Sequence, residues 1–278
     1  MNRATVRDLA LAGLAAAEPA EKAAAARAAH AAWREAREAG RPLDAGSAPL
    51  PDRPTRPAAP ELRAPRDMAR RGPGSPAGRV ALLHAIAHIE LNAIDLHLDT
   101  AARFADAGLP PGFAGDFLAA AADEARHFLA LQACLRARDS FYGALPAHDG
   151  LWQSSMDTAH DLAARLAVVP MVLEARGLDV TPGMITVFET AGEADAVAAL
   201  RMIAEEEVAH VAYGTKWFHY LCGREGSDPE PRFHALVNAH FRGALKPPFN
   251  HEGRAEAGLT QGYYMPLAGL NAAWAPGR

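Results

Sequence analysis

Cysteine is almost missing from this chain: Cys134 and Cys222 are the two in 278 residues. Two cannot build a disulfide framework or a cysteine zinc site, and they fit a reducing, cytoplasmic setting. No apolar run approaches the roughly 20 residues that span a bilayer, so no membrane partner is expected. Excess positive charge is lacking as well. The chain has 28 Lys and Arg against 33 Asp and Glu, a net charge of -5, which implies no basic surface for a nucleic-acid backbone. Long runs of alternating β-branched residues are absent, which argues against a sheet. What is present is ordinary globular composition, 50% hydrophobic and 22% charged. The length suits one large domain or two small ones.

Four regions follow along the chain. Residues 1–40 read as two helices. Arg3 and Arg7 before the Ala-rich stretch from Leu9 to Ala17 loosely imitate a secretion signal, but Asp8 stands at its mouth, and an amphipathic helix is preferred. The second helix ends at Gly40, as a C-cap should. Residues 41–76 form a Pro/Arg-rich arm. Nine of the 21 prolines fall within 41–78, with Arg53, Arg56, Arg63, Arg66, Arg70 and Arg71 between them. Proline lacks an amide hydrogen and fixes φ, so this arm is extended. A free linker and a strap over the main domain are both open.

Residues 77–260 read as a four-helix bundle, giving an all-α fold with extra N-terminal helices and a C-terminal helix. Long helices are predicted over 77–105, 113–139, 155–177 and 193–222. The third is interrupted near Pro170 and closed by Gly177. A short helix starts at Thr181-Pro182, with Thr as N-cap and Pro at the first helical position. Another helix covers 230–245, the chain from Phe249 is irregular, and 261–278 form a tail.

The chemistry sits in a repeated unit. Two Glu-x-x-His motifs, Glu124–His127 and Glu207–His210, fall within apolar helices. Residues three apart share a helix face, so each pair can hold one metal. Each is preceded by a single glutamate in an apolar helix: Glu90 lies 34 residues before Glu124, and Glu174 lies 33 before Glu207. Burying four carboxylates in one dry core is costly, and they repel one another. Two divalent cations bring +4 against their -4. Oxygen ligands with two imidazoles suit two iron ions, manganese, or a mixed pair. The expected metal ligands are therefore Glu90, Glu124, His127, Glu174, Glu207 and His210.

Competing readings stay open at single positions. Glu90 could be a core glutamate held by Arg176 or Arg201. Glu206, four before His210, could replace Glu207. His97, two turns from Glu90, is expected to support the site or the core rather than to ligate. His84 and His88 share another face and could meet a helix or the arm. Tyr213, one turn after His210, and His148 are the candidate catalytic side chains. His148 lies in the 141–152 connection, which could cover one end of the bundle as a substrate lid.

The chain also resembles a known family. The segments His84–Leu96, Asp123–Phe128, Glu174–Asp179, Glu207–Val211, Pro146–Trp152 and Lys246–Asn250 are similar to the bacterial ferritin-like family called domain of unknown function number four hundred fifty-five. The resemblance spans about 77–260 and implies a ferritin-like bundle within the di-iron superfamily, but no particular substrate. Two departures narrow the superfamily's roles. Leu131 stands where the ribonucleotide reductase small subunit carries its radical tyrosine. A ferritin oxidation site usually has one histidine, and this set has two. The expectation is a dioxygen-activating oxidoreductase acting on a small organic or nucleotide substrate, with an electron donor as partner; a homodimer is one assembly the sequence allows. A ferroxidase or iron-handling protein and a non-enzymatic helical scaffold are the alternatives.

Overall fold

The computed structural model describes residues 4–63, 67 and 72–269. Among them the fold is all-α, as expected, without strands; two isolated bridges join Leu62 to Ala147 and Leu245 to Ala268. Pro65, Arg66, Arg70 and Arg71 of the arm, and the tail beyond 269, lie outside the described residues. The chain forms two compact units, Met1–Trp152 with Val187–Ala199, and Gln153–Thr186 with Leu200–Arg278.

The first unit is built from α1 (Val6–Ala15), α2 (Pro19–Glu38), α3 (Pro76–Arg103) and α4 (Gly112–Arg136). Thr5 and Asp8 form a reciprocal capping box at the start of α1. Gly40 takes φ +66° after α2, the left-handed cap that its position predicts. α3 lies at the centre: every residue from Glu90 to Ala102 is buried. A helix covered on all sides must pair its polar groups internally. Accordingly, Asp95 meets Lys22 at 2.5 Å, Asp99 meets Arg103 at 2.6 Å, and Thr100 donates to the Leu96 carbonyl. α4 can approach α2 closely because Gly115 has no Cβ; one there would strike the Trp33 ring.

The arm is a strap on this unit. The Val6 N–H donates to the Asp44 carbonyl, the Thr55 N–H to that of Leu14, and the Arg63 N–H to that of Ala147. The Trp152 indole donates to the Asp52 carbonyl at 3.0 Å, and Asp149 pairs with Arg53. The connection around Tyr142 to Trp152 is thus pinned to the arm.

The second unit contains most of the chain's irregular helix. α5 (Gly150–Asp157) leads into it, and Asp161 caps α6 (Leu162–Val168). A wide π-turn, Val169–Glu174, runs directly into α7 (Ala175–Thr190). Then come α8 (Ala194–Glu225), α9 (Pro229–His240), α10 (His251–Glu256) and α11 (Gln261–Tyr264), with a 3-10 turn, Met265–Leu267.

Here several expectations fail for local reasons. The predicted helix over 155–177 is broken at 158–161 and holds the end of α5, then α6, the π-turn and the start of α7, and Gly177 does not close it. Pro170, with no N–H to give, is absorbed by the π-turn instead of ending the helix. Thr181 is no cap: its hydroxyl donates back to the Gly177 carbonyl at 2.8 Å from within α7. Pro182 is likewise interior. Its missing amide deprives the Leu178 carbonyl of its helical donor, and the Asn250 side-chain amide donates there instead, at 3.2 Å. The predicted 230–245 helix stops at His240, and the stretch after Phe249, expected to be irregular, forms α10 and α11.

Candidate metal centre

In the first unit, Glu90 on α3 and Glu124 and His127 on α4 converge. Each offers a ligand-type atom, and these atoms lie within 4.8 Å of one another. His127 Nδ1 is 3.0 Å from Glu90 Oε2 and 3.3 Å from Glu124 Oε2, so an N–H there can donate to either carboxylate. The three side chains are buried: Glu124 and His127 are 0% exposed and Glu90 is 4%. Burial, and then repulsion from Glu124, pushes the Glu90 carboxyl well above the ordinary carboxylate range, while His127 pulls it down. His97 Nε2 lies 3.6 Å from Glu124 Oε1 and stands beside the Phe117 ring. That separation is too long for a hydrogen bond, so His97 is a neighbour of the Glu124 oxygen that His127 does not reach.

In the second unit, Glu174 closes the π-turn, and Glu207 and His210 lie one turn apart on α8. Glu174 is 7% exposed, Glu207 3% and His210 0%. A Cβ on Gly177, one turn past Glu174, would sit 3.7 Å from the Glu207 carboxylate carbon. The helix face that carries Glu174 therefore lies against Glu207. Gly214 brings α8 to the π-turn, since a Cβ there would come within 2.6 Å of Pro170. His210 Nδ1 is 3.6 Å from Glu207 Oε2, too far for a hydrogen bond. Glu207 Oε2 is buried and has no hydrogen-bond donor among the described residues. Glu205 is exposed and Glu206 half-buried, so of the three consecutive acids Glu207 is the one that faces inward.

The remaining candidates lie apart from these clusters. Tyr213 is half-buried, its ring 6.5 Å from that of His210. His148 accepts from the Gly150 N–H through Nδ1, and its carbonyl meets His88 Nε2 at 2.9 Å. Because that carbonyl can only accept, His88 Nε2 carries the hydrogen and Nδ1 accepts from the Tyr142 hydroxyl at 2.8 Å. The His84 ring stacks on the same tyrosine. His84 and His88 thus hold the 141–152 connection.

Sequence reasoning missed the Lys22–Asp95 pair, whose side chains are both 0% exposed. Its signal was available: Lys22 shares a helix face with Ala26 and Ala29, both buried.

Comparison with known proteins gives a family. The family described as "Protein of unknown function (DUF455)" matches residues 15–265, which include all six expected ligands. A curated relative from Haemophilus influenzae (strain ATCC 51907 / DSM 11121 / KW20 / Rd), described as an uncharacterized protein, is 39% identical over 210 residues. That alignment covers 74% of this chain and 73% of the relative. No solved structure matches. With nearly its whole described length matched, the chain belongs to the DUF455 family.

Proposed function

We propose that the chain is a ferritin-like di-metal carboxylate oxidoreductase that uses dioxygen to hydroxylate or otherwise oxidise an organic substrate. Glu90, Glu124 and His127 would hold metal from one half of the ligand set, and Glu174, Glu207 and His210 from the other. The observation that carries this reading is the repeat itself: each half carries two buried glutamates and one buried histidine. An ionised carboxylate in an apolar interior is costly unless something offsets its charge. Two divalent cations offset all four.

The residues fit such a group. Glu207 Oε2 is a buried oxygen without a donor. The raised Glu90 carboxyl marks a site with more acid than its own imidazole can balance. Iron, manganese or a mixed pair, when bound, would supply the electrons that dioxygen takes up. The protein's share is positioning. His127 orients Glu124, with His97 beside it, the π-turn sets where Glu174 emerges, and Phe117, Phe128, Leu131 and Leu200, all fully buried, keep water from the carboxylates. An electron donor and a small organic or nucleotide substrate complete the reaction class.

The test is dioxygen uptake by the reduced, iron-loaded protein. One molecule of dioxygen or less per two irons, with no mineral formed from added ferrous iron, is the expected result. Continued oxidation of excess ferrous iron into a retained mineral favours the iron-handling alternative. No uptake at all leaves a helical scaffold.

A further inference from the structure

A cavity lies in the second unit, on the flank of the π-turn that ends at Glu174. It has a volume of 90 Å³ and is walled by Val172, Leu173, Phe241 and Phe249. That is far below the roughly 300 Å³ at which organic ligand pockets begin, and suits a single headgroup. Its charged lining is unbalanced: Arg176, Lys246 and Arg254 against Asp179. The one carboxylate is already engaged. Arg254 Nε and Nη2 donate to its two oxygens at 2.8 and 2.7 Å, and the Asn250 N–H donates to Oδ1 at 2.9 Å.

Arg254 is 2% exposed, sandwiched with Phe249 at 5.2 Å and Tyr264 at 4.4 Å from the ring centres. Its third nitrogen, Nη1, is buried and has no acceptor among the described residues. A guanidinium fixed on one edge by a carboxylate still brings its charge to the cavity that it lines. Arg176 Nη1 spends its hydrogens on the Lys246 and Pro248 carbonyls, at 2.7 and 3.1 Å. It thereby holds Lys246, which is exposed, at the rim of the cavity. Two segments that the sequence singled out, Glu174–Asp179 and Lys246–Asn250, are thus bolted together around one pocket with two more cationic side chains than anionic ones.

We infer that this cavity is an oxyanion site, which takes the phosphate or carboxylate group of a small ligand beside the Arg254 guanidinium and Lys246. The apolar walls exclude water from a bound headgroup, which strengthens the charge-assisted contact. This site uses none of the six metal-ligand residues, so it stands or falls separately from the di-metal reading.

Calorimetric titration of the full-length protein at low ionic strength tests it, with inorganic phosphate in one arm and propionate in the other. Either anion binding once per chain supports the site, and the arm that binds names the ligand class. Lys246→Gln, at an exposed position, is expected to weaken binding about fivefold, the worth of one solvent-screened charge a few ångströms away. Ala244→Trp, which fills the pocket, is expected to abolish it. If that variant does not fold, Lys246→Gln still decides. Metal content should be unchanged in Lys246→Gln. Binding of neither anion overturns the inference, as does binding that both substitutions leave intact.

Discussion

The two halves of the ligand set come from the same sequence unit, yet they differ in how far they satisfy themselves. Around Glu124 the imidazole of His127 reaches both carboxylates, at 3.0 and 3.3 Å, and His97 stands on the other side. Around Glu207 the imidazole stops at 3.6 Å, outside hydrogen-bond range. The helices explain the contrast. Glu90 rides on a regular helix buried on every face, within reach of the His127 ring on α4. Glu174 emerges from a π-turn around a proline, which sets its direction but brings no donor to Glu207. An acid pair stapled by its own histidine tolerates a missing cation; one left open depends on it more. Both units also rest on a buried ion pair away from the ligands, Lys22–Asp95 in one and Arg254–Asp179 in the other.

That last likeness gives the largest expected effect. Lys22→Met leaves the buried Asp95 with Arg56, 3.6 Å away, in place of its direct partner, at a cost of about 3 kcal/mol in urea unfolding, and Arg254→Met leaves Asp179 with Arg176 and the Asn250 N–H at a similar cost. A loss below about 1 kcal/mol in either would mean that the pair is not the support the packing suggests.

A smaller effect separates the units by pH. Burial pushes His84 down to about 4, and its Nε2 accepts from the Gly143 N–H at 2.9 Å. The unfolded chain therefore takes up this proton first, near the ordinary histidine value of 6.5. The stability His84 contributes is complete above that value and lost as pH falls toward 4. His84→Gln should flatten this part of the stability profile. An unchanged slope would show that the Tyr142 connection does not need a neutral imidazole.

The smallest effect lies in the second unit. Asn250→Ala removes the donor to the Leu178 carbonyl and the cap on the Gly253 N–H, and should cost about 1–2 kcal/mol. Combining it with Pro182→Ala, which restores a helical donor to Leu178, should recover part of that loss. No recovery would mean that the carbonyl was not the reason for the cost.

The all-α class and the long helices were readable from periodicity and caps; Gly40 and Pro76 mark real boundaries. The inward face of each Glu-x-x-His pair was readable too, because spacing in one helix depends only on local geometry. The course of 155–182 was not. There a proline, a glycine and a threonine carry their usual stop signals, but tertiary partners override them: the π-turn accepts Pro170, and Asn250, some 70 residues away, repairs the gap at Pro182. The arm's role as a strap was equally hidden, since backbone bonds to distant carbonyls leave no trace in composition. Lys22 was passed over because lysine suggests a surface, although its helix face pointed inward.

The most direct measurement is metal content, by elemental analysis, of the protein purified without added metal, beside a Glu124→Ala/Glu207→Ala double variant confirmed as folded by circular dichroism. Two metal ions per chain in the parent and none held stoichiometrically in the variant is the predicted result. Two ions retained by the variant, or none in a parent offered iron and manganese, would contradict the account.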